Sequence, residues 1–413
     1  MNLQLLLLAS ITLFKITESG AFSSQSVSSF INQEQRRLSH LSSTLSPDDT
    51  EIRSEDGENP AKRGAISMQI DELDKYLGGE GRAQIVWDCY SIGIDPADYF
   101  GSIHLGYDDY ETIMQLMPSM RRTQKLDSET LEKLAALYPQ GGKVEGGVAR
   151  LSYLSKSSDS ATKILLTLAD GLQIETVIIP GKGQRSTLCV SSQVEKIRPL
   201  TSSEILAQLF FAKKLCRLEG IPDITDIVFM GMGDSVDNIE NIIKATKIMT
   251  TRDLFQLSAS RVTVSTVGPS PESFKAVAEA PCVIAWSVQA TNDDLRKQLV
   301  PTTKYSIEEL REGLIEAMLE RPINGRTVLL ELTLMKGVND SLNEAEELAS
   351  FAEVISERVT GCKVSINLIP YNDVGPRGEM EQNKYQRPDH KDAVAFQEYL
   401  QDHGLFSHVR TTQ

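Results

Sequence analysis

Between residues 187 and 369, short apolar runs alternate with helix-length segments, and few architectures accommodate that alternation. The first run begins at Thr187, and others follow at 226–230, 261–266, 282–288, 328–334 and 364–369. Runs this continuously apolar predict strands buried on both faces of a parallel sheet. The intervening segments open with helix-start signals. Thr201 with Glu204, and Ser306 with Glu309, have the spacing of capping boxes, and Pro271 after Ser270 falls at a first helical position. About six βα units follow, which predicts a parallel sheet or barrel with its site at the carboxyl ends of the strands. Periodicity is compatible with a closed barrel, an open barrel or a doubly wound sheet.

Upstream, the pattern changes. A helix is expected to open at Ser128, and two strands at 163–169 and 174–179 are joined by a turn at Asp170-Gly171. Residues 66–180 therefore read as a small α+β accessory domain, and 181–413 as the βα domain. Residues 3–14 form an apolar run too short to span a membrane, followed by small residues at Ser19-Gly20-Ala21, so 1–22 reads as a signal-like segment. Residues 23–65 are Ser-rich with no hydrophobic period, which predicts a disordered leader or linker. The arrangement resembles the bipartite presequences of algae with secondary plastids. A plastid destination follows, with secretion as the alternative and no membrane association in the mature form.

The 413 residues allow one or two substantial cores. A net charge of −15 argues against a broad electrostatic grip on nucleic acid, although the run Met120 to Lys125 is a local basic patch or a solvated turn. The five cysteines (Cys89, Cys189, Cys216, Cys282, Cys362) are far apart, show no metal-ligand spacing and fit no disulfide framework.

Taken alone, the polar residues at the strand ends are weak signals. Gly231-Met232-Gly233-Asp234 ends a strand and permits close backbone approach to a ligand, with an acid beside it for an ammonium, but a plain tight turn reads the same way. Ser265, Ser287, Val288, Gln289 and Asn372 stand at other strand ends, where a polar group can simply cap a strand. Glu175 interrupts an apolar alternation, facing outward or held for acid–base work.

In order along the chain, TLCVSSQV (187–194), FMGMGD (229–234), RVTVSTVG (261–268), WSVQ (286–289) and LIPYN (368–372) resemble the radical S-adenosylmethionine (SAM) methyltransferases that methylate the C2 carbon of adenine in large-subunit ribosomal RNA and transfer RNA. The resemblance covers about residues 120–410, most of the chain beyond the leader. It implies a partial (β/α)6 barrel of the radical SAM type. It further implies that Gly233 and Asp234 hold the methionyl amino group of SAM, where the family has GMGEP. Ser265, Ser287, Val288, Gln289 and Asn372 would be further SAM contacts, with Gln289 replacing a family histidine. Glu175, in a segment similar to the family's DGxxxETVYIP, would accept a proton. Cys189 would resolve a covalent RNA intermediate by disulfide formation with a second cysteine.

Two family segments are missing. The family carries CxxxCxxC just after CVSSQV, and those three thiolates hold a 4Fe-4S cluster; here Val194 runs directly into Glu195. The family's second cysteine lies in an AACGQL-type tail, and this chain ends at Gln413 before it. A thiol without a partner cannot form the resolving disulfide. Reductive cleavage of SAM needs the cluster, so the chain as written is expected to be inactive in family chemistry. The resemblance thus implies an adenine-C2 RNA methyltransferase with SAM as cofactor and ribosomal or transfer RNA as partner, or else a non-catalytic RNA- or SAM-binding relative. The sequence leaves the oligomeric state open.

Overall fold

The computed structural model describes residues 64–410 apart from 80, 102–125, 139–141, 159, 182, 195–196 and 373–384. The signal-like segment, nearly all of the expected leader and the basic run Met120 to Lys125 lie outside the described residues.

The described chain opens with α1 (Ile70–Leu77), α2 (Arg82–Tyr90), α3 (Pro96–Gly101) and α4 (Ser128–Ala136). Asp127 caps α4: its carboxylate accepts from the Thr130 amide at 2.8 Å, satisfying a donor with no partner in the first turn. Three antiparallel strands follow: β1 (Ala149–Lys156), β2 (Thr162–Leu168) and β3 (Gln173–Pro180). The expected turn at Asp170-Gly171 is present, with Gly171 at φ +87°.

β4 (Ser186–Val190) pairs antiparallel with β3 on one side and parallel with β7 (Ile224–Phe229) on the other. Between them lies a short hairpin, β5 (Gln193–Val194) and β6 (Arg198–Pro199). The parallel series continues through β8 (Val262–Thr266), β9 (Val283–Ser287), β10 (Thr327–Leu334), β11 (Lys363–Pro370) and β12 (Phe406–Val409). All but the hairpin belong to one ten-stranded sheet in the order β1-β2-β3-β4-β7-β8-β9-β10-β11-β12. No pairing joins β1 to β12 among the described residues, so the sheet is open.

Helices α5 (Ser202–Glu219), α6 (Ile239–Thr250), α7 (Pro271–Ala278), α8 (Asp293–Leu299), α9 (Ile307–Glu320), α10 (Leu342–Arg358) and α11 (His390–Asp402) connect the parallel strands. Both expected capping boxes form, at Thr201–Glu204 and Ser306–Glu309. Pro271 opens α7. α5 is buried along most of its length. Its Phe210 and Phe211 extend an edge-to-face series from Trp87 and Tyr90, with successive centroids 5.6, 6.1 and 5.5 Å apart. Each such buried ring contributes roughly 1.5–3 kcal/mol from area alone. This aromatic series ties α2 to α5.

Candidate functional site

The pleat places every second residue of a strand on one face, and register then aligns polar residues across the sheet. Ser287 on β9, Glu331 on β10 and Asn367 on β11 are direct partners in one row. Asn367 Nδ2 donates to Glu331 Oε1 at 2.9 Å. From β8, Ser265 Oγ lies 3.4 Å from both Ser287 Oγ and Glu331 Oε2. Glu331 is only 4% exposed, and burial pushes its carboxyl above the usual range. Sequence reasoning passes over Glu331 and Asn367. The available signal is a single Glu within the apolar run TVLLELTL.

Cys189 on β4 is close enough to feel the charges of Arg410, Glu175 and Glu331. Burial dominates, however, and pushes its thiol up to about 11, so it is protonated at neutral pH. Glu175 is 37% exposed and pairs with Lys163 at 2.6 Å. The carbonyl of Glu175 also accepts from Ser191 Oγ at 2.8 Å, which ties β3 to the turn after β4.

The glycine loop after β7 is tightly drawn. A Cβ at Gly231 would lie 2.6 Å from the Ser191 Cα, and Gly233 is at φ +84°. Asp234 is turned into the protein. Its Oδ1 accepts from the Val236 amide at 2.9 Å, and its Oδ2 from the Val267 amide at 2.8 Å and Thr266 Oγ1 at 3.1 Å. Burial still raises its pKa.

Gln289 also faces the wall. At φ +62° its side chain accepts from the Thr333 amide at 2.9 Å, an interaction that fastens the end of β9 to β10. The Val288 amide donates to the Glu331 carbonyl at 3.0 Å. Behind this segment Arg296 is buried, its guanidinium donating to the carbonyls of Val288 and Val267. Asn372 lies beyond the row, its Oδ1 accepting from Arg387 at 2.6 Å. The structure therefore gathers Ser265, Ser287, Glu331 and Asn367, with Cys189 nearby. It directs Asp234 and Gln289 onto the ends of the neighbouring strands, β8 and β10.

No protein-family model matches the chain. The dual-specificity RNA methyltransferase RlmN of a Nitratiruptor species is 32% identical over 338 residues, spanning 75% of this chain and 85% of that protein. The chain belongs to this radical SAM methyltransferase family. RlmN of Campylobacter hominis is 29% identical over 382 residues, covering 85% of this chain and 93% of its own. A crystal structure of a radical SAM methyltransferase from Sphaerobacter thermophilus superposes with a TM-score of 0.61 at 27% identity, over 84% of this chain and 95% of that one.

Family membership implies SAM and a 4Fe-4S cluster, and the two fit this chain differently. The hydroxyls of Ser265 and Ser287 suit a nucleoside cofactor, whereas the space over Gly231 and Gly233 is already taken by Ser191 and the Gln193 side chain. A cluster does not fit. Cys89 and Cys216 lie on α2 and α5, while Cys282 and Cys362 precede the amino ends of β9 and β11. Cys362 stands ten residues before Asn372 along an extended path, roughly 30 Å from that strand end at about 3.3 Å per residue. Among the described residues no group of three or more His, Cys, Asp or Glu is placed to hold a metal ion. Burial raises the pKa of all five thiols, which opposes the thiolate form that iron requires.

The junction where the family places its cluster loop is closed by the β5–β6 hairpin. The Leu200 amide donates to the Ser192 carbonyl at 3.0 Å, and Asn238 Nδ2 spans the carbonyls of Ser192 and Leu200 at 2.7 and 2.8 Å. Gln208 brackets Ser191 with a pair of 2.9 Å bonds. Arg198 completes the closure, pairing with Glu204 at 2.7 Å and Asp170 at 2.5 Å.

Proposed function

We propose that this fold serves methylation of the C2 carbon of adenine in large-subunit ribosomal RNA, with transfer RNA as a second substrate, and that the polypeptide with the Val194–Glu195 junction binds SAM and RNA without transferring the methyl group. One observation carries this reading: Ser265 and Ser287, which follow the family's order in the sequence, share one row of polar side chains with Glu331 and Asn367, while the junction is closed by a hairpin with no thiol. SAM would bring a methyl group on a cationic sulfonium. Ser265 and Ser287 would hydrogen-bond it, and Gly233 would contribute the loop backbone that Gln193 packs against. Val288 would line its edge. Asp234, Gln289 and Asn372 would shape the rim through the backbone and side-chain partners they already hold. Glu175, which pairs with Lys163, would accept the adenine proton, and Cys189 would lie near it as a neutral thiol.

The division into a leader, an accessory domain over 66–180 and a barrel domain over 181–413 belongs to the same reading. So does a plastid destination, supported by the signal-like and Ser-rich character of residues 1–65. No helix among the described residues is long and apolar enough to cross a membrane.

Equilibrium dialysis with labelled SAM, gel shift with a large-subunit RNA fragment and a methyl-transfer assay on that fragment test the proposal together. Saturable SAM and RNA binding with no label in adenine is expected. Failure to bind either ligand refutes the binding role, and label at adenine C2 refutes the loss of transfer.

A further inference from the structure

Glu331 is a carboxylate with unused capacity at the centre of the polar row. A carboxylate accepts on about four lone-pair sites. Asn367 fills one well at 2.9 Å, whereas the Ser265 hydroxyl at 3.4 Å is long for an O–H···O bond. Among the described residues no Lys or Arg forms an ion pair with it; Arg410 acts only through space. Burying an anion in this way is costly unless a counter-charge reaches it. The other acid at the strand ends, Asp234, is already engaged by two backbone amides and a hydroxyl. Glu331 is therefore the acid positioned to meet a cation arriving beside Ser265 and Ser287.

We infer that Glu331 is the counter-charge for the sulfonium of SAM and makes this site select the cationic nucleoside over its neutral thioether, S-adenosylhomocysteine. The inference rests on the SAM-binding reading above. The two ligands share the adenine, the ribose, the ammonium and the carboxylate; they differ at sulfur by a methyl group and a positive charge. An interaction with any shared group changes both affinities alike, so their ratio isolates the charge. A charge pair several ångströms apart at an effective dielectric constant of about 20 is worth about ten- to a hundredfold in affinity.

Calorimetric titration of the full chain with SAM and with S-adenosylhomocysteine provides the test, repeated with Glu331→Gln and Glu331→Asp. The wild-type chain is expected to favour SAM by about tenfold or more. Glu331→Gln should bring the two ligands within about threefold of each other, and Glu331→Asp should retain the preference. Wild-type affinities that are equal overturn the inference whether or not either variant folds. A Glu331→Gln variant that weakens both ligands equally overturns it as well, because Glu331 would then touch a shared group. If the wild-type chain binds neither ligand, the SAM-binding reading fails and the inference fails with it.

Discussion

Gln193 lies directly against Gly233: a Cβ at Gly233 would come within 2.4 Å of the Gln193 side-chain amide. Gln193 Nε2 also reaches the Asp234 carbonyl at 3.3 Å. The last residue but one before the shortened junction is thus packed onto the loop after β7. The closure and the candidate ligand loop form one packed unit.

Gly233→Ala tests that packing. Alanine would meet both the unfavourable φ of +84° and the Gln193 side chain, with an expected destabilisation of about 1–3 kcal/mol in urea denaturation. Gly183→Ala has a positive φ but no neighbour within 4 Å, so it should cost less. Equal losses for the two would show that Gln193 does not crowd Gly233.

Arg198 holds the hairpin to two other elements. Its removal leaves Glu204, whose side chain is 11% exposed and which also closes the capping box of α5, without its cation. Arg198→Met should cost about 1–3 kcal/mol and speed proteolysis between Val194 and Ile197. Loss below about 0.5 kcal/mol with unchanged cleavage would mean that the pair is an ordinary surface contact.

Much of this architecture is legible in the sequence. The strands at 226–230, 282–288 and 328–334 are visible because burial on both faces demands apolar runs, and the capping boxes because their chemistry is local. β1 is not visible: ARLSYLSK is half-exposed and carries a bulge between Leu151 and Tyr153. β12 escapes because it is a four-residue edge strand whose Phe406 is 76% exposed. In the site, sequence order locates Ser265 and Ser287. It does not show that Asp234 and Gln289 spend their side chains on neighbouring backbone, because such bonds join residues that only the folded sheet brings together. The row through Glu331 depends on register between strands dozens of residues apart.

Cys189 should be slow to react. With its thiol raised to about 11 by burial, its thiolate is about a hundredfold scarcer at neutral pH than at its ordinary value. Iodoacetamide labelling followed by peptide mass spectrometry should show slow modification at pH 7.5, accelerating about tenfold per pH unit up to pH 10. Labelling at the rate of an exposed cysteine would contradict that burial.

Asp95, just before α3, supplies a pH signature. Its carboxylate accepts from the Val144 and Ala97 amides, yet burial, reinforced by Asp98, raises its pKa from 3.8 to about 7. The folded state therefore holds this proton more tightly than the unfolded state. Its contribution to stability is full below about pH 4 and falls as pH rises to about 7, by up to roughly 4 kcal/mol. Asp234 and Glu331, also raised by burial, act with the same sign. Asp95→Asn should flatten the slope of stability against pH between 4 and 7, measured by urea denaturation. An unchanged slope would rule out Asp95 as its source.

This chain keeps the family fold but lacks the thiols for the family cluster. Anaerobic reconstitution of the purified chain with iron and sulfide, followed by iron quantitation and absorbance near 400 nm, tests this directly. Substoichiometric iron and no cluster band after desalting are expected. About four irons per chain, with a band that bleaches on reduction, would contradict it.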